Sequence, residues 1–189
     1  MNDRKVEQVA AASVTVPLTE ASERLSQLFG AHHRRILLAA YRITGSMADA
    51  EDVAQSVFLR VAAAGDAEVR NTGSYLCRAA INGALDLLRR RKTAAAEPLD
   101  AAADIRAAGP GNSPEQELAS REMGQWLRQA IAGLAPRAAE MFTLRYVEEL
   151  GNREIAALMG TSQAVVAVTL HQARVRLKKQ LREMERGRS

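Results

Sequence analysis

The 189-residue sequence predicts an all-α protein of two small helical domains joined by a flexible linker, the second domain containing a helix-turn-helix. Hydrophobic residues make up 47% of the chain but aromatic residues only 4%, and alanine is abundant, a composition that favours helices over sheets. Apolar residues recur at helical spacing along most of the chain, and we find no credible strand. A stretch rich in Ala, Gly and Pro separates the two sets of helices.

The first predicted domain spans residues 19–92, after an N-terminal tail of residues 1–18, and contains three helices. Its first helix covers residues 20–44 and ends where "TGS" breaks the apolar pattern, with Ser46 in position to cap the next helix. The second helix, "MADAEDVAQSVFLRVAAAG", ends at Gly65, because glycine commonly follows the last helical turn. A polar loop then leads into the third helix, "YLCRAAINGALDLLRRRK".

The predicted linker, residues 93–113, contains few large apolar side chains and carries three acidic residues against one arginine, a net charge of −2. The second predicted domain spans residues 114–189 and contains four helices, of which the second begins with a proline that suits a first helical turn. The four helices are predicted at residues 114–133, 136–149 and 152–159 and from Ser162 onward.

A helix-turn-helix is indicated by "NREIAALMG" followed by "TSQAVVAVTLHQARVRLKK". The two helices of such a motif cross closely, which requires a small residue on the first, a glycine in the turn and an apolar residue on the second. Ala156, Gly160 and Val166 meet these needs. An ordinary helical hairpin would show part of the same pattern and is the alternative interpretation.

The outward face of the last helix combines amides that can bond to base edges with small apolar side chains that can touch a thymine methyl group. Basic residues follow at helical spacing, which suits phosphates, although a solvated helix end would look alike. We predict DNA as the partner, since residues 121–189 carry 12 basic and 7 acidic side chains. The outward residues are Ser162, Gln163, Ala164, Ala167, Val168, His171 and Gln172, and the basic residues beyond them are Arg174, Arg176, Lys178, Lys179 and Arg182.

Acidic residues gather at the start of the second helix. Negative charge stabilises a helix N-terminus, so simple capping is one interpretation. Acidic and apolar residues side by side also resemble a protein-docking surface more than a DNA surface. The patch consists of Asp49, Glu51, Asp52 and Gln55, followed by Phe58 and Leu59.

The third helix has a polar face and a basic end. Cations favour a helix C-terminus whatever the function, so the basic end alone is weak evidence. A basic helix beside a polar loop and an aromatic residue, Tyr75, is nevertheless a reasonable nucleic-acid surface, since exposed rings stack on unpaired bases. The polar face consists of Arg78, Asn82, Asp86 and Arg89, and the basic end of Arg89, Arg90, Arg91 and Lys92.

Three segments together resemble a bacterial sigma factor of the extracytoplasmic-function (ECF) group, over about residues 20–183. They are "YRITGSMADAEDVAQSVFLRV", "SYLCRAAINGALDLLRRRK" and, after the linker, "LAPRAAEMFTLRYVEELGNREIAALMGTSQAVVAVTLHQARVRLKK". The resemblance implies two helical domains, regions 2 and 4, that lend promoter specificity to core RNA polymerase without a catalytic site or cofactor. Region 2 would recognise and melt the −10 element, and region 4 would bind the −35 element and the β flap. An anti-sigma factor is a further candidate partner.

The resemblance also assigns the candidate residues to surfaces. The set implied to dock on the β′ clamp helices is Asp49, Glu51, Asp52, Gln55 and Phe58. The set implied at the −10 element, together with the loop of residues 66–74, is Asn82, Asp86, Arg89, Arg90 and Arg91. The set implied at the −35 element is Ser162, Gln163, Ala167, His171, Gln172, Arg174 and Lys178. The last helix departs from the family's usual Lys, Ser and Arg run, which predicts a −35 contact dominated by backbone and apolar contacts.

Other classes explain less of the sequence. A stand-alone helix-turn-helix regulator leaves the acidic second helix and the basic third helix unexplained, and an interaction protein that binds another helix would use only the valines. An enzyme is disfavoured because His32 and His33 are adjacent and no phosphate-binding glycine loop is present, so no metal or cofactor is predicted. The single cysteine, Cys77, excludes an internal disulfide. No apolar run suits export or membrane insertion, so we expect a cytoplasmic protein.

Overall fold

A computed structural model of the protein describes residues 18–64, 72–94 and 113–187, and every regular element in these ranges is an α-helix. The all-α prediction is confirmed. Residues 1–17 of the predicted tail, 66–71 of the predicted loop and 95–112 of the predicted linker lie outside the described residues. The predicted ends of these segments differ from the structure, because Leu18 begins α1 and residues 72–74 and 93–94 belong to α3. The helices are α1 (Leu18–Thr44), α2 (Met47–Ala64), α3 (Thr72–Ala94), α4 (Pro114–Ala132), α5 (Pro136–Tyr146), α6 (Asn152–Met159) and α7 (Gln163–Gly187).

The first three helices pack around a shared apolar core. α1 lies against both α2 and α3, which also contact each other. Ile36 of α1, Val57 of α2 and Leu85 of α3 are fully buried at the centre. Alanines at the same interfaces are buried as well, and their small size lets the helices approach closely. Each helix therefore buries one apolar stripe in this core.

The turn between α1 and α2 is tight and covered. Gly45 adopts a φ of +73°, a left-handed conformation that favours glycine. A Cβ atom at this position would lie 2.6 Å from the Arg128 guanidinium carbon of α4. The hydroxyl oxygen of Ser46 accepts the N–H of Asp49 at 3.3 Å, which is the predicted capping contact.

The end of α5 differs from the sequence prediction, which extended this helix to residue 149. α5 begins at Pro136 as predicted but ends at Tyr146. Glu149 adopts a φ of +56°, and the N–H of Leu150 turns back to the carbonyl of Leu144 at 3.0 Å. A left-handed residue followed by such a reversed hydrogen bond ends a helix. Because Glu149 is not a glycine, the sequence does not mark this end.

The last four helices form a second group that lies directly against the first. α5 and α6 both contact α7, and α4 packs beside α5. The two groups meet because α3 contacts both α4 and α5. One face of α3, which the sequence predicts to be polar, therefore lies at a boundary between the two groups.

Candidate functional site

The acidic patch of α2 divides into an exposed face and a buried part. Glu51, Asp52 and Gln55 are exposed, and Leu59, one turn further along, is 61% exposed. At about 100° of rotation per residue, these four side chains fall within an arc of about 100°. They form a continuous face that combines two carboxylates, an amide and an apolar side chain. We call these four residues the α2 outer face.

Asp49 belongs to the interior and not to the α2 outer face. It is only 7% exposed, and its carboxylate accepts two hydrogen bonds from the Arg91 guanidinium, at 2.5 and 2.6 Å. Such a two-point contact between guanidinium and carboxylate is both strong and directional. It fastens the end of α3 to the start of α2. Two residues that the sequence analysis assigned to different surfaces are thus partners of each other.

Phe58 is also buried, with 6% of its surface exposed. Its ring lies 5.0 Å from that of Phe29, which in turn stacks on His33 at 4.3 Å. These distances are typical of aromatic pairs that stabilise packing. Phe58 therefore holds α2 against α1, and the exposed apolar side chain on the same face as the acidic residues is Leu59. Both residues had been noted in the sequence, but only the packing of α1 separates their roles.

The polar face of α3 is half-buried except at Asp86, which is exposed, and each of its four side chains makes at least one hydrogen bond. The amide nitrogen of Asn82 and the guanidinium of Arg78 both donate to Oε1 of Glu140 on α5, the amide at 3.1 Å. Arg89 donates from Nε to the carbonyl of Ala132 at 3.1 Å and from Nη1 to Asp86 at 2.8 Å. The structure thus brings together four of the predicted polar residues of this face on one side of α3.

Arg90 differs from these residues because it is exposed on α3, where its Nε atom donates only to the carbonyl of Asp86, at 3.4 Å. The terminal nitrogens of this exposed guanidinium, within one turn of the polar face, are available to an anionic partner.

The helix-turn-helix predicted from the sequence is formed by α6 and α7. Gly160 ends α6 with a φ of +60°, and its N–H points back to the carbonyls of Ala156 and Ala157. Ile155 of α6 and Val166 of α7 are fully buried against each other's helices and α5. The small residue, the turn glycine and the apolar residue expected for close helix crossing are all in place.

The exposed face of α7 contains all the residues that the sequence predicted there. Ser162 also accepts the N–H of Val165 at 3.2 Å, which caps the helix. The sequence analysis did not include Val165 and Val175, which are exposed as well. The buried set of Val166, Leu170, Ala173 and Leu177 fixes which side of the helix is outward, and that spacing was the available signal.

Cys77 is buried on α3 at the boundary between the two helix groups. Burial, with a smaller contribution from a hydrogen bond to Glu148, raises the pKa of its thiol to about 12. A thiol that is so rarely ionised is a poor nucleophile. Within the ranges that the structure describes, no cluster of three or more His, Cys, Asp or Glu side chains is placed to hold a metal ion, and no helix is long and apolar enough to cross a membrane.

Two family models match this chain: Sigma-70 region 2 over residues 28–94 and Sigma-70, region 4 over residues 124–177. The ferric citrate uptake sigma factor FecI of Escherichia coli is 33% identical over 145 residues, which cover 76% of this chain and 83% of FecI. The ECF RNA polymerase sigma factor SigW of Bacillus subtilis is 29% identical over 160 residues, which cover 79% of this chain and 84% of SigW. The chain belongs to the ECF group of sigma-70 factors.

The solved structure of CnrH in complex with the cytosolic domain of CnrY has the same fold, with a TM-score of 0.56 at 21% identity, over 87% of this chain and 94% of CnrH. As an ECF sigma factor, the protein directs promoter-specific transcription by core RNA polymerase, with region 2 acting at the −10 element and region 4 at the −35 element. The match to region 2 distinguishes it from a stand-alone helix-turn-helix regulator.

Region 4 of this sigma factor lies on the polar face of region 2. Besides the contacts of Asn82 and Arg89, Arg78 donates to the carbonyl of Leu158 at 2.9 Å. On α1, Arg35 donates to Glu148 at 3.1 Å and Arg42 to the carbonyl of Val147 at 2.9 Å. Arginines of region 2 thus donate at several points to carbonyl and carboxylate oxygens of region 4. We call this arrangement the closed state.

Proposed function

We propose that the α2 outer face is the surface with which this sigma factor docks on the β′ clamp helices of core polymerase. A stable docking site needs an apolar anchor with polar groups around it, and Leu59, on the same face as Gln55, Asp52 and Glu51, provides both. Asp49 and Phe58 act from the inside, because they fix α2 on α3 and α1 and so hold this face in shape.

At the −10 element, we propose that Asn82, Asp86, Arg89 and Arg90 of α3 contact the promoter together with the loop of residues 66–74. Arg91 is mainly a positioning residue, since both of its terminal nitrogens are used by Asp49. In the closed state, Arg89 lacks a partner for its buried Nη2 atom among the described residues. A buried N–H group without an acceptor destabilises the closed state. This supports a phosphate oxygen as the acceptor of Nη2 in the DNA-bound form.

These assignments require region 4 to leave α3 when the promoter binds. In the closed state, Glu140 accepts from the amide nitrogen of Asn82 and the carbonyl of Ala132 accepts from Nε of Arg89, so region 4 covers this side of α3. One side chain cannot donate the same hydrogen to a carboxylate and to DNA. The linker, residues 93–113, then has to let the two regions separate along the polymerase surface.

Region 4 carries the second DNA surface in this proposal. Ser162, which caps α7, and Gln163, Ala167, His171 and Gln172, in its first three turns, are exposed where a recognition helix meets base edges. Arg174 and Lys178 follow on the same helix and suit phosphates, which position the helix without reading sequence. We also assign the β flap to region 4 as a partner.

The observation that carries the proposal is that exposed acidic and exposed basic residues lie on different surfaces of the protein. The α2 outer face is acidic and apolar, whereas the exposed residues of α7 from Arg174 onward include six basic and two acidic side chains. DNA attracts the second surface and repels the first. One protein therefore presents a surface suited to a protein partner and another suited to DNA, which is what an initiation factor on core polymerase needs.

We infer that the protein acts in the cytoplasm, where polymerase and chromosome are found, and that the polymerase performs the chemistry. CnrH is bound to the cytosolic domain of a second protein, CnrY. By analogy, an anti-sigma factor is a further partner that we propose for this chain, and the closed state is the form that it would hold.

The decisive experiment is run-off transcription on fragmented genomic DNA with purified core polymerase, with and without this protein, while RNA 5′ ends are mapped. We expect discrete new start sites that share two spaced upstream sequence blocks. If no new start sites arise and the protein does not bind core polymerase, the proposed surfaces are wrong.

A further inference from the structure

The recognition helix of region 4 presents apolar side chains on both of its faces. Val166 and Leu170 face the core, as expected. On the opposite side Ala164 and Val168 are exposed, and Val165 and Ala167 are exposed on the two flanks; all four lie in the first two turns, and Val168 is 57% exposed. Leaving so many apolar groups in water is unfavourable, so this surface is suited to a partner with apolar groups of its own.

The charge around this apolar surface identifies the partner as DNA. The exposed residues that follow on α7 are predominantly basic, which favours a polyanion. Within the major groove, each base pair presents hydrogen-bonding groups, but the 5-methyl group of thymine is the apolar feature. A helix whose first turns carry alanine and valine in place of longer polar side chains is complementary to that group.

We infer that this sigma factor selects its −35 element through thymine methyl groups that pack against Val168 and the neighbouring alanines. The inference rests on the proposed function, because it requires the first turns of α7 to enter the major groove of the −35 element. The alanines allow the helix backbone to approach the bases closely, and Val168 fills the remaining space. Gln163 and Gln172 lie on either side, where their amides can bond to adjacent base edges.

Val175 provides a matched control on the same helix. It is 55% exposed, nearly the same as Val168, and lies seven residues later, which is about two helical turns on the same face. This separation is about 10 Å along the helix axis, or about three base pairs. Val175 stands between Arg174 and Arg176, at the part of α7 suited to phosphates, and therefore should not read a base.

The test uses the promoter found by 5′-end mapping, with each thymine of the −35 block replaced in turn by deoxyuridine. This change removes the methyl group and leaves every hydrogen-bonding group in place. We expect wild-type holoenzyme to bind at least one deoxyuridine duplex about fourfold more weakly, the effect of burying one methyl group. Val168→Ser should remove this difference between thymine and deoxyuridine, whereas Val175→Ser should retain it.

Equal binding of wild-type holoenzyme to all thymine and deoxyuridine duplexes would overturn the inference, as would a −35 block without an A·T pair. If the Val168→Ser holoenzyme still prefers thymine over deoxyuridine as strongly as the wild type does, Val168 is not the side chain that contacts the methyl group. Both valines are exposed, so the variants should fold, and unchanged core-polymerase binding verifies this. Failure of the proposed function looks different, because the holoenzyme would then give no discrete start sites at all.

Discussion

The carboxylate of Glu140, on region 4, accepts a hydrogen bond from the side-chain amide of Asn82, on region 2, at 3.1 Å. Arg78 donates to the same oxygen. Glu140 is only 6% exposed, so its charge depends on these two partners for stabilisation. A carboxylate of region 4 therefore occupies polar groups of region 2 that we propose to contact the −10 element.

Glu140→Ala should loosen the closed state. The substitution removes the shared acceptor of Arg78 and Asn82, whereas the contacts inside each region remain. The thiol of Cys77 reports the change, because burial at this boundary and, to a smaller extent, Glu148 of region 4 raise its pKa to about 12. We expect Cys77 to react several-fold faster with iodoacetamide in the variant, and its reaction to begin at lower pH as the thiol pKa falls toward 9.0.

Glu115→Ala is the matched control for this prediction, since Glu115 lies exposed on α4 and forms no hydrogen bond or ion pair with region 2 within the described ranges. It should leave the alkylation rate and its pH dependence unchanged. Identical rates in Glu140→Ala and the wild type would show that this carboxylate does not hold the regions together.

The pair of Asp49 and Arg91 should behave asymmetrically on mutation. Arg91→Ala leaves a nearly buried carboxylate without its two donors, which should lower the free energy of unfolding by about 1–3 kcal/mol. Asp49→Ala leaves a guanidinium that is half exposed, which water can solvate, so the loss should be nearer about 1 kcal/mol. Urea denaturation of both variants measures the difference. A larger loss for Asp49→Ala would contradict this account.

The sequence predicted the seven helices of the described ranges closely, because apolar spacing, turn glycines and prolines are local signals. It did not separate Phe58 from Leu59, or Asp49 from Glu51, because these choices depend on which side of α2 is covered by α1 and α3. It also did not show that Asn82 and Arg89 contact region 4. Such contacts join residues more than 40 positions apart, and the residue pattern within one helix does not predict them.

Two glycines test the conformational requirement of the helix-turn-helix. An added Cβ would meet no atom within 4 Å at either Gly160 or Gly30, so crowding affects neither site. They differ in backbone, since Gly160 has a φ of +60° and Gly30 lies within α1. Gly160→Ala should lower stability by about 1–2 kcal/mol, whereas Gly30→Ala should raise it by up to about 1 kcal/mol. Thermal unfolding measures both, and a stabilising Gly160→Ala would show that the turn tolerates another conformation.

Leu59 and Phe58 are adjacent in sequence, but mutation of Leu59 should weaken polymerase binding, whereas mutation of Phe58 should lower folding stability. Leu59→Ala removes an exposed apolar anchor from the α2 outer face, so affinity for core polymerase should fall about tenfold while stability stays unchanged. Phe58→Ala removes a buried ring that packs on Phe29, so stability should fall by about 3–5 kcal/mol. Fluorescence anisotropy with labelled protein measures the first effect and urea denaturation the second. If Leu59→Ala binds core polymerase as tightly as the wild type, the docking surface lies elsewhere on region 2.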